Sequence, residues 1–127
     1  MQRRIAVSSR LGVSGFSEQV WWYEEVDVLR HVVLFKWKPG TRAEKVTEIE
    51  NAFRALPGKI PQIRDFEFGT DVSVEGLSDG FTHCFFVTFL TTADRDVYLP
   101  HPDHAAFGDL IRPHLERALV IDYHAGA

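Results

Sequence analysis

The feature that most constrains the fold is a pair of strand-like segments with large apolar side chains on both faces. In residues 29–37 the side chains alternate between two faces with the period of two that a β-strand imposes, and both faces are apolar. Residues 81–90 show the same pattern. A sheet face that meets water would instead be polar. We therefore expect helices to cover one face and a second copy of the sheet to cover the other.

The segment after the first strand predicts a helix. Thr41, followed three residues later by Glu44, is typical of a capping box at a helix start. Pro57 and Gly58 predict its end. The apolar positions recur at helical spacing as Val46, Ile49, Phe53 and Leu56.

A second helical region follows residues 81–90 and contains several prolines. Thr91 or Thr92 predicts the cap of a short helix that ends near Leu99, because Pro100 disfavours helical backbone at the residue before it. Pro102 suits the first turn of a further helix. We expect Pro113 to kink that helix.

Short strands at 64–69 and 119–123 complete the order strand, helix, strand, strand, helix, strand. This order predicts a ferredoxin-like βαββαβ fold of the α+β class with an antiparallel four-stranded sheet. Ten Phe and three Trp in 127 residues are a heavy aromatic load for so small a domain. A homodimer formed through the sheet face, which closes an α/β barrel, would cover the rings that one chain leaves open.

The length fits one domain, which we place at residues 29–124. Residues 1–28 show weak periodicity and form an N-terminal extension of uncertain role. One interpretation is an ordered arm, such as an added strand, that lays Trp21 and Trp22 on the domain or on a partner. The other is an over-long start, with the working domain beginning near Val26.

Charge and cysteine content exclude several classes of protein. With 14 Lys and Arg against 18 Asp and Glu, the chain has a formal net charge of -4 and no basic stripe, so we expect binding neither to nucleic acid nor to an anionic membrane surface. No apolar run is long enough to span a bilayer. The single cysteine, Cys84, forms no intramolecular disulfide and fits a cytoplasmic location.

Four segments resemble the stress-responsive α/β-barrel (Dabb) family. They are HVVLFKW at 31–37, GFTH at 80–83, YLPHPDH at 98–104 with its HPxH motif, and VIDY at 120–123. The resemblance spans residues 29–123 and implies a dimeric ferredoxin-like barrel. Polyketide cyclases in this family have a catalytic tyrosine and histidine, which implies these roles for Tyr98 and His104, and further site residues that match His31, His83 and Asp122.

The chemistry of Tyr98 and His104 is compatible with these catalytic roles. Near neutral pH a histidine accepts a proton, so His104 is a candidate general base for removing a proton alpha to a carbonyl. The Tyr98 hydroxyl is a candidate hydrogen-bond donor to the resulting enolate oxygen. The alternatives are that His104 closes the turn after Pro102 by bonding to the backbone, and that Tyr98 is a core tyrosine.

Further residues are candidates for binding a ligand. His31 and His83 lie on apolar strand faces, where they are either satisfied core residues or polar anchors in an apolar pocket. Asp122 either orients a histidine or faces water at a strand end. Three apolar residues of the same faces complete the predicted pocket: Val33, Phe35 and Phe85.

Three functions remain open on the sequence alone. The first is a small homodimer that binds an apolar small molecule in its barrel cavity without assigned chemistry. The second is a cofactor-independent, cyclase-like enzyme that uses His104 and Tyr98. The third is a haem-linked or antibiotic-type monooxygenase of similar barrel shape. We expect no metal site, since His101 and His104 have no third ligand at a clear spacing, and no cofactor.

Overall fold

The computed structural model describes residues 2–9, 19–26 and 28–126, with the backbone alone for the first two ranges. Among these residues, no helix combines the length and apolar character needed to cross a membrane. The elements in chain order are β1 Gln2–Ser9, β2 Gln19–Val26, β3 Leu29–Trp37, α1 Ala43–Lys59, β4 Asp65–Thr70, β5 His83–Phe89, α2 Thr92–Tyr98, α3 Pro102–Ile111 and β6 Leu115–His124.

Strands β3 to β6 form one antiparallel sheet in the order β4-β5-β3-β6. The first predicted strand, now β3, lies inside this sheet, and its Leu29 pairs with Phe89 of β5 and with His124 of β6. Helix α1 connects β3 to β4, and α2 and α3 connect β5 to β6. The predicted ferredoxin-like βαββαβ fold of the α+β class is confirmed.

Strands β1 and β2 form a separate antiparallel pair, from Gln2 opposite Val26 to Ser9 opposite Gln19. The arm hypothesis depends on what the side chains of Trp21 and Trp22 contact, and these contacts lie outside the described residues. The role of residues 1–28 therefore stays a prediction.

Helix α1 begins and ends differently from its prediction. Its N-cap residue is Arg42, which makes no side-chain cap bond, while the Thr41 hydroxyl donates to the Lys38 carbonyl oxygen at 2.6 Å. The predicted capping box is therefore wrong, because the turn at residues 38–41 engages the threonine first. The helix also continues through Pro57 to Lys59, since a proline in the last turn removes only one backbone hydrogen bond.

The prolines near α2 and α3 affect the backbone at a different residue from the one predicted. Thr91 caps α2 as predicted, accepting from the Asp94 N–H. Leu99 keeps helical dihedrals, contrary to prediction, and the extended residue is His101, which precedes Pro102.

The last strand is longer than predicted. Pro113 lies in a short 3-10 turn at Arg112–His114 that ends α3, and does not kink it. Strand β6 therefore starts at Leu115 instead of residue 119. This early start lets β6 pair along the whole of β3, with one register shift between Lys36 and Trp37.

The helix-facing side of the sheet carries a dense aromatic core. Phe53 of α1 stacks on Phe85 of β5 with ring centroids 4.3 Å apart. Phe35 of β3 lies 5.0 Å from Phe85, and Phe107 of α3 lies 4.7 Å from Phe53. Much of the aromatic content is thus buried within one chain.

The opposite side, which we call the outer face, carries large apolar side chains that are at least partly open to solvent in a single chain. Ile121 is 55% exposed and Tyr123 is 46% exposed. By strand register, the apolar side chains of the outer face are Val32, Leu34, Phe86, Leu119, Ile121 and Tyr123. The helices thus cover only one of the two apolar faces predicted from the sequence.

Candidate functional site

A cavity of 290 Å³ lies between the helix-facing side of the sheet and the segment that contains α2 and α3. This cavity is formed within one chain and on the helix-facing side of the sheet. The cavity predicted from the sequence would instead lie inside a barrel closed by two sheets, next to the outer face. Six of the eight predicted site residues line it: His31, Val33, Phe35, Tyr98, His104 and Asp122.

The HPxH motif builds the turn that holds His104 at the cavity. His101 is the N-cap residue of α3, and its Nδ1 accepts from the Asp103 N–H at 3.1 Å. Pro102 occupies the first helical turn. His104 Nδ1 then donates to the Leu99 carbonyl oxygen at 2.8 Å. His104 therefore closes the turn and also lines the cavity, so the two alternatives from the sequence are compatible.

This hydrogen bond determines which nitrogen carries the hydrogen in the neutral His104 ring. A carbonyl oxygen only accepts, so Nδ1 carries the hydrogen and the neutral ring has its lone pair on Nε2. Burial lowers the pKa of His104 from its ordinary value of 6.5, and nearby His31 and His101 lower it further, while the bond to Leu99 acts in the opposite direction. At neutral pH, the His104 ring is thus neutral, and its Nε2 has no hydrogen-bond partner among residues 28–126.

The Tyr98 side chain lies beside His104 with its ring centroid 4.4 Å away. The residue is only 1% exposed, and burial raises the pKa of its hydroxyl well above the ordinary value of 10. Within residues 28–126, every fully buried polar side-chain atom has a hydrogen-bond partner. The Tyr98 hydroxyl makes no hydrogen bond within this range, and Tyr98 lines the cavity. This hydroxyl is a neutral donor available to a ligand.

A second histidine in the cavity is held by a carboxylate. His31 Nδ1 donates to Asp122 Oδ1 at 2.6 Å, between residues that face each other across β3 and β6. Asp122 Oδ2 accepts from Arg95 of α2 at 3.0 Å. Asp122 therefore orients a histidine, as one alternative from the sequence proposed. Arg95 was not foreseen, because only the folded chain brings α2 beside β6.

His83 and Phe85 do not line this cavity. His83 Nε2 donates to Glu50 of α1 at 2.9 Å, and its Nδ1 accepts from Trp37 Nε1 at 3.2 Å. Phe85 is fully buried in the aromatic core. His83 thus belongs to a hydrogen-bonded core network. Its partner Glu50 was not predicted, because nothing in the sequence distinguishes it from other polar residues on the same helix.

A larger hollow of 540 Å³ borders the outer face and the loop at residues 71–80. His83 lies along it, but Tyr98, His104, His31 and Asp122 do not. Among the described residues, no three His, Cys, Asp or Glu side chains are grouped so that they could hold a metal ion. The 290 Å³ cavity is therefore the candidate site.

Fold and site together define the class: a ferredoxin-like α+β domain with a Tyr–His pair in a largely apolar cavity. Residues 29–125 match the stress responsive A/B barrel domain, and the chain belongs to this family.

Two relatives are similar over most of their length. The stress-response A/B barrel domain-containing protein HS1 of Arabidopsis thaliana is 36% identical over 95 residues, which cover 75% of this chain and 87% of that protein. Olivetolic acid cyclase of Cannabis sativa is 30% identical over 95 residues, which cover 75% of this chain and 94% of that protein.

Solved structures show the same fold. Hydroxynitrile lyase from Passiflora edulis superposes with a TM-score of 0.75 and 26% identity, covering 80% of this chain and 96% of that one. A dimeric protein of unknown function and ferredoxin-like fold from Bacteroides fragilis superposes with a TM-score of 0.63 and 28% identity, covering 76% and 95%.

The lowered pKa of His104 predicts how this residue titrates. Its folded-state pKa lies below 6.5, so the unfolded chain takes up the proton first as the pH falls. The contribution of His104 to the free energy of unfolding is therefore fully present above pH 6.5 and is lost as the pH falls below that value. In an NMR titration we expect the His104 imidazole signal, assigned by its absence in His104→Ala, to have a midpoint below 6.5. A midpoint at or above 6.5 would contradict this.

Proposed function

We propose that this protein binds, in the 290 Å³ cavity of each chain, an apolar small molecule that carries a hydrogen-bond-accepting oxygen. The observation behind the proposal is that Tyr98 lines this cavity while its hydroxyl makes no hydrogen bond to another of residues 28–126. A hydroxyl without a partner at an apolar cavity wall can donate a hydrogen bond to a ligand oxygen, which would orient the ligand.

The lining of the cavity indicates the character of this ligand. Most of the wall is apolar, with Val33, Phe35 and Phe107 among the contacting side chains. Among the described residues, no Lys or Arg contributes to the wall. The one carboxylate, Asp122, is already engaged by His31 and Arg95. A neutral carbonyl compound fits this setting better than an anion, which would bury an unpaired charge.

Removing the Tyr98 hydroxyl should weaken binding of a simple aryl ketone. With propiophenone as the probe in isothermal titration calorimetry, we expect Tyr98→Phe to raise Kd by about two- to tenfold, the effect of losing one hydrogen bond. Tyr123→Phe, which removes a hydroxyl on the outer face, is the matched control and should leave Kd unchanged. Equal Kd values for wild type and Tyr98→Phe would refute the role of this hydroxyl.

We also propose a second function, enolisation of a carbonyl compound, on the strength of the contact between Tyr98 and His104. A C–H bond alpha to the carbonyl would break, its proton passing to His104 Nε2 and its electron pair to the enolate. The Tyr98 hydroxyl would donate a hydrogen bond to the enolate oxygen. Similarity to a cyclase and to a lyase supports chemistry at this site.

Proton exchange tests this second function directly. In D2O, wild-type protein should accelerate loss of the methylene protons of propiophenone, followed by proton NMR. We expect His104→Ala to slow the catalysed exchange by about 100-fold or more, the contribution of a general base. His104→Gln provides a second variant of similar size, and His124→Ala is the control. Absence of acceleration by wild type, or equal rates in His104→Ala, would rule the activity out.

We infer that two copies associate through the outer face. Its exposed apolar side chains, Leu119, Ile121 and Tyr123, lie side by side along β6, and an apolar patch of this kind on a sheet typically marks an interface. The dimeric neighbour from Bacteroides fragilis supports this assembly. Such a dimer leaves the cavity of each chain on its own helix side.

A charge in this patch should separate the copies. We expect wild type to elute in size-exclusion chromatography at twice the chain mass of 14.5 kDa, and Ile121→Glu to elute as a monomer, because association would bury the new carboxylate. Val97→Glu, on the exposed side of α2, is the control and should remain dimeric. Elution of the wild type as a monomer would overturn the inference.

Two further hypotheses stay predictions. A cytoplasmic location is supported by the single cysteine, Cys84, which forms no intramolecular disulfide. The monooxygenase alternative gains no support from a specific side chain in the described part of the chain.

A further inference from the structure

Helix α3 contains a glycine, Gly108, three residues before its last residue, Ile111. Glycine inside a helix is less stable than alanine, because it loses more backbone freedom on folding. The presence of glycine at this position is explained either by a backbone or packing requirement or by a function.

Backbone and packing do not require this glycine. Gly108 has ordinary helical backbone without a positive φ. Among the described residues, a Cβ atom at this position would come within 4 Å of one group only, Nη2 of Arg112 at 3.1 Å. Arg112 is exposed, and the end of its flexible side chain can move away. The fold would therefore accept alanine at this position.

The position of Gly108 on the helix connects it with the cavity. His104, Gly108 and Ile111 are spaced four and three residues apart, so they lie along one stripe of α3. All three line the 290 Å³ cavity. A side chain at residue 108 would project along this stripe and occupy space that is now open.

We propose that Gly108 is a specificity-determining residue, whose missing side chain sets how long an apolar ligand the cavity accepts. This inference rests on the proposed binding function. The polar end of the ligand lies at Tyr98 and His104, and its apolar chain runs along α3 past Gly108 toward Ile111. Filling this space shortens the longest chain that fits.

A series of alkyl phenyl ketones, from acetophenone to octanophenone, tests the inference. Affinity for each ketone is measured by calorimetry in wild type and in Gly108→Ala. The matched control is Gly58→Ala, since Gly58 also lies within a helix, α1, is exposed, and has no atom within 4 Å of the point that a Cβ would occupy. Thermal unfolding of all three proteins is recorded alongside.

We expect both variants to unfold about 2 to 6 °C higher than wild type, because alanine favours the helix. In Gly108→Ala, the longest ketone that wild type binds should lose at least about fivefold in affinity through overpacking, while acetophenone binds as before. Gly58→Ala should keep the wild-type profile along the whole series.

Two outcomes would overturn the inference, and they differ from a failure of the proposed function. An unchanged chain-length profile in Gly108→Ala would show that residue 108 does not limit the ligand. A lowered unfolding temperature in Gly108→Ala alone would show that packing requires the glycine. If wild type binds none of the ketones, the proposed binding function itself fails.

Discussion

The proline-bounded break between α2 and α3 is the constraint on which the candidate site depends. Pro100 has no N–H to continue α2, and Pro102 holds His101 extended, so the chain turns between Tyr98 and His104. In one continuous helix these two residues would lie about 9 Å apart along the axis and on different faces. The break instead brings their rings to 4.4 Å. The cavity lies beside this break, while Phe53 of α1 packs directly on Phe85 in the other half of the sheet.

Local patterns predicted those parts of the structure that local forces determine. The bounds of β3 and the cap at Thr91 follow from alternation and capping, which act over a few residues. The start of β6 was missed because pairing with β3 extends the strand beyond its own apolar run. Most of the predicted site residues do line the cavity, but the sequence did not predict that the cavity lies within one chain. The partners Arg95 and Glu50 were missed because each contacts a residue that is distant in the sequence. Such contacts can be predicted only when the strand register is known, as for His31 and Asp122, which are 91 residues apart.

The similar proteins show that this fold does not determine one activity. One relative is a cyclase and one structural neighbour is a lyase, on the same ferredoxin-like frame. We therefore expect the differences between members to lie in the side chains of the cavity and in the space they leave. Among the described residues, the polar groups of the cavity include the Tyr98 hydroxyl, Nε2 of His104 and the His31–Asp122 pair, and Gly108 also lines it. The outer face, through which we infer that two copies associate, lies on the opposite side of the sheet from the cavity.

We propose that the cavity within each chain, and not the outer face, holds the ligand, with Tyr98 as its anchor. A crystal structure of the protein soaked with propiophenone tests this claim most directly. We predict the ketone beneath α2 and α3, with its oxygen about 2.7 Å from the Tyr98 hydroxyl oxygen, the usual length of such a hydrogen bond. A ketone bound on the outer face, or a cavity filled by rearranged protein side chains, would contradict it.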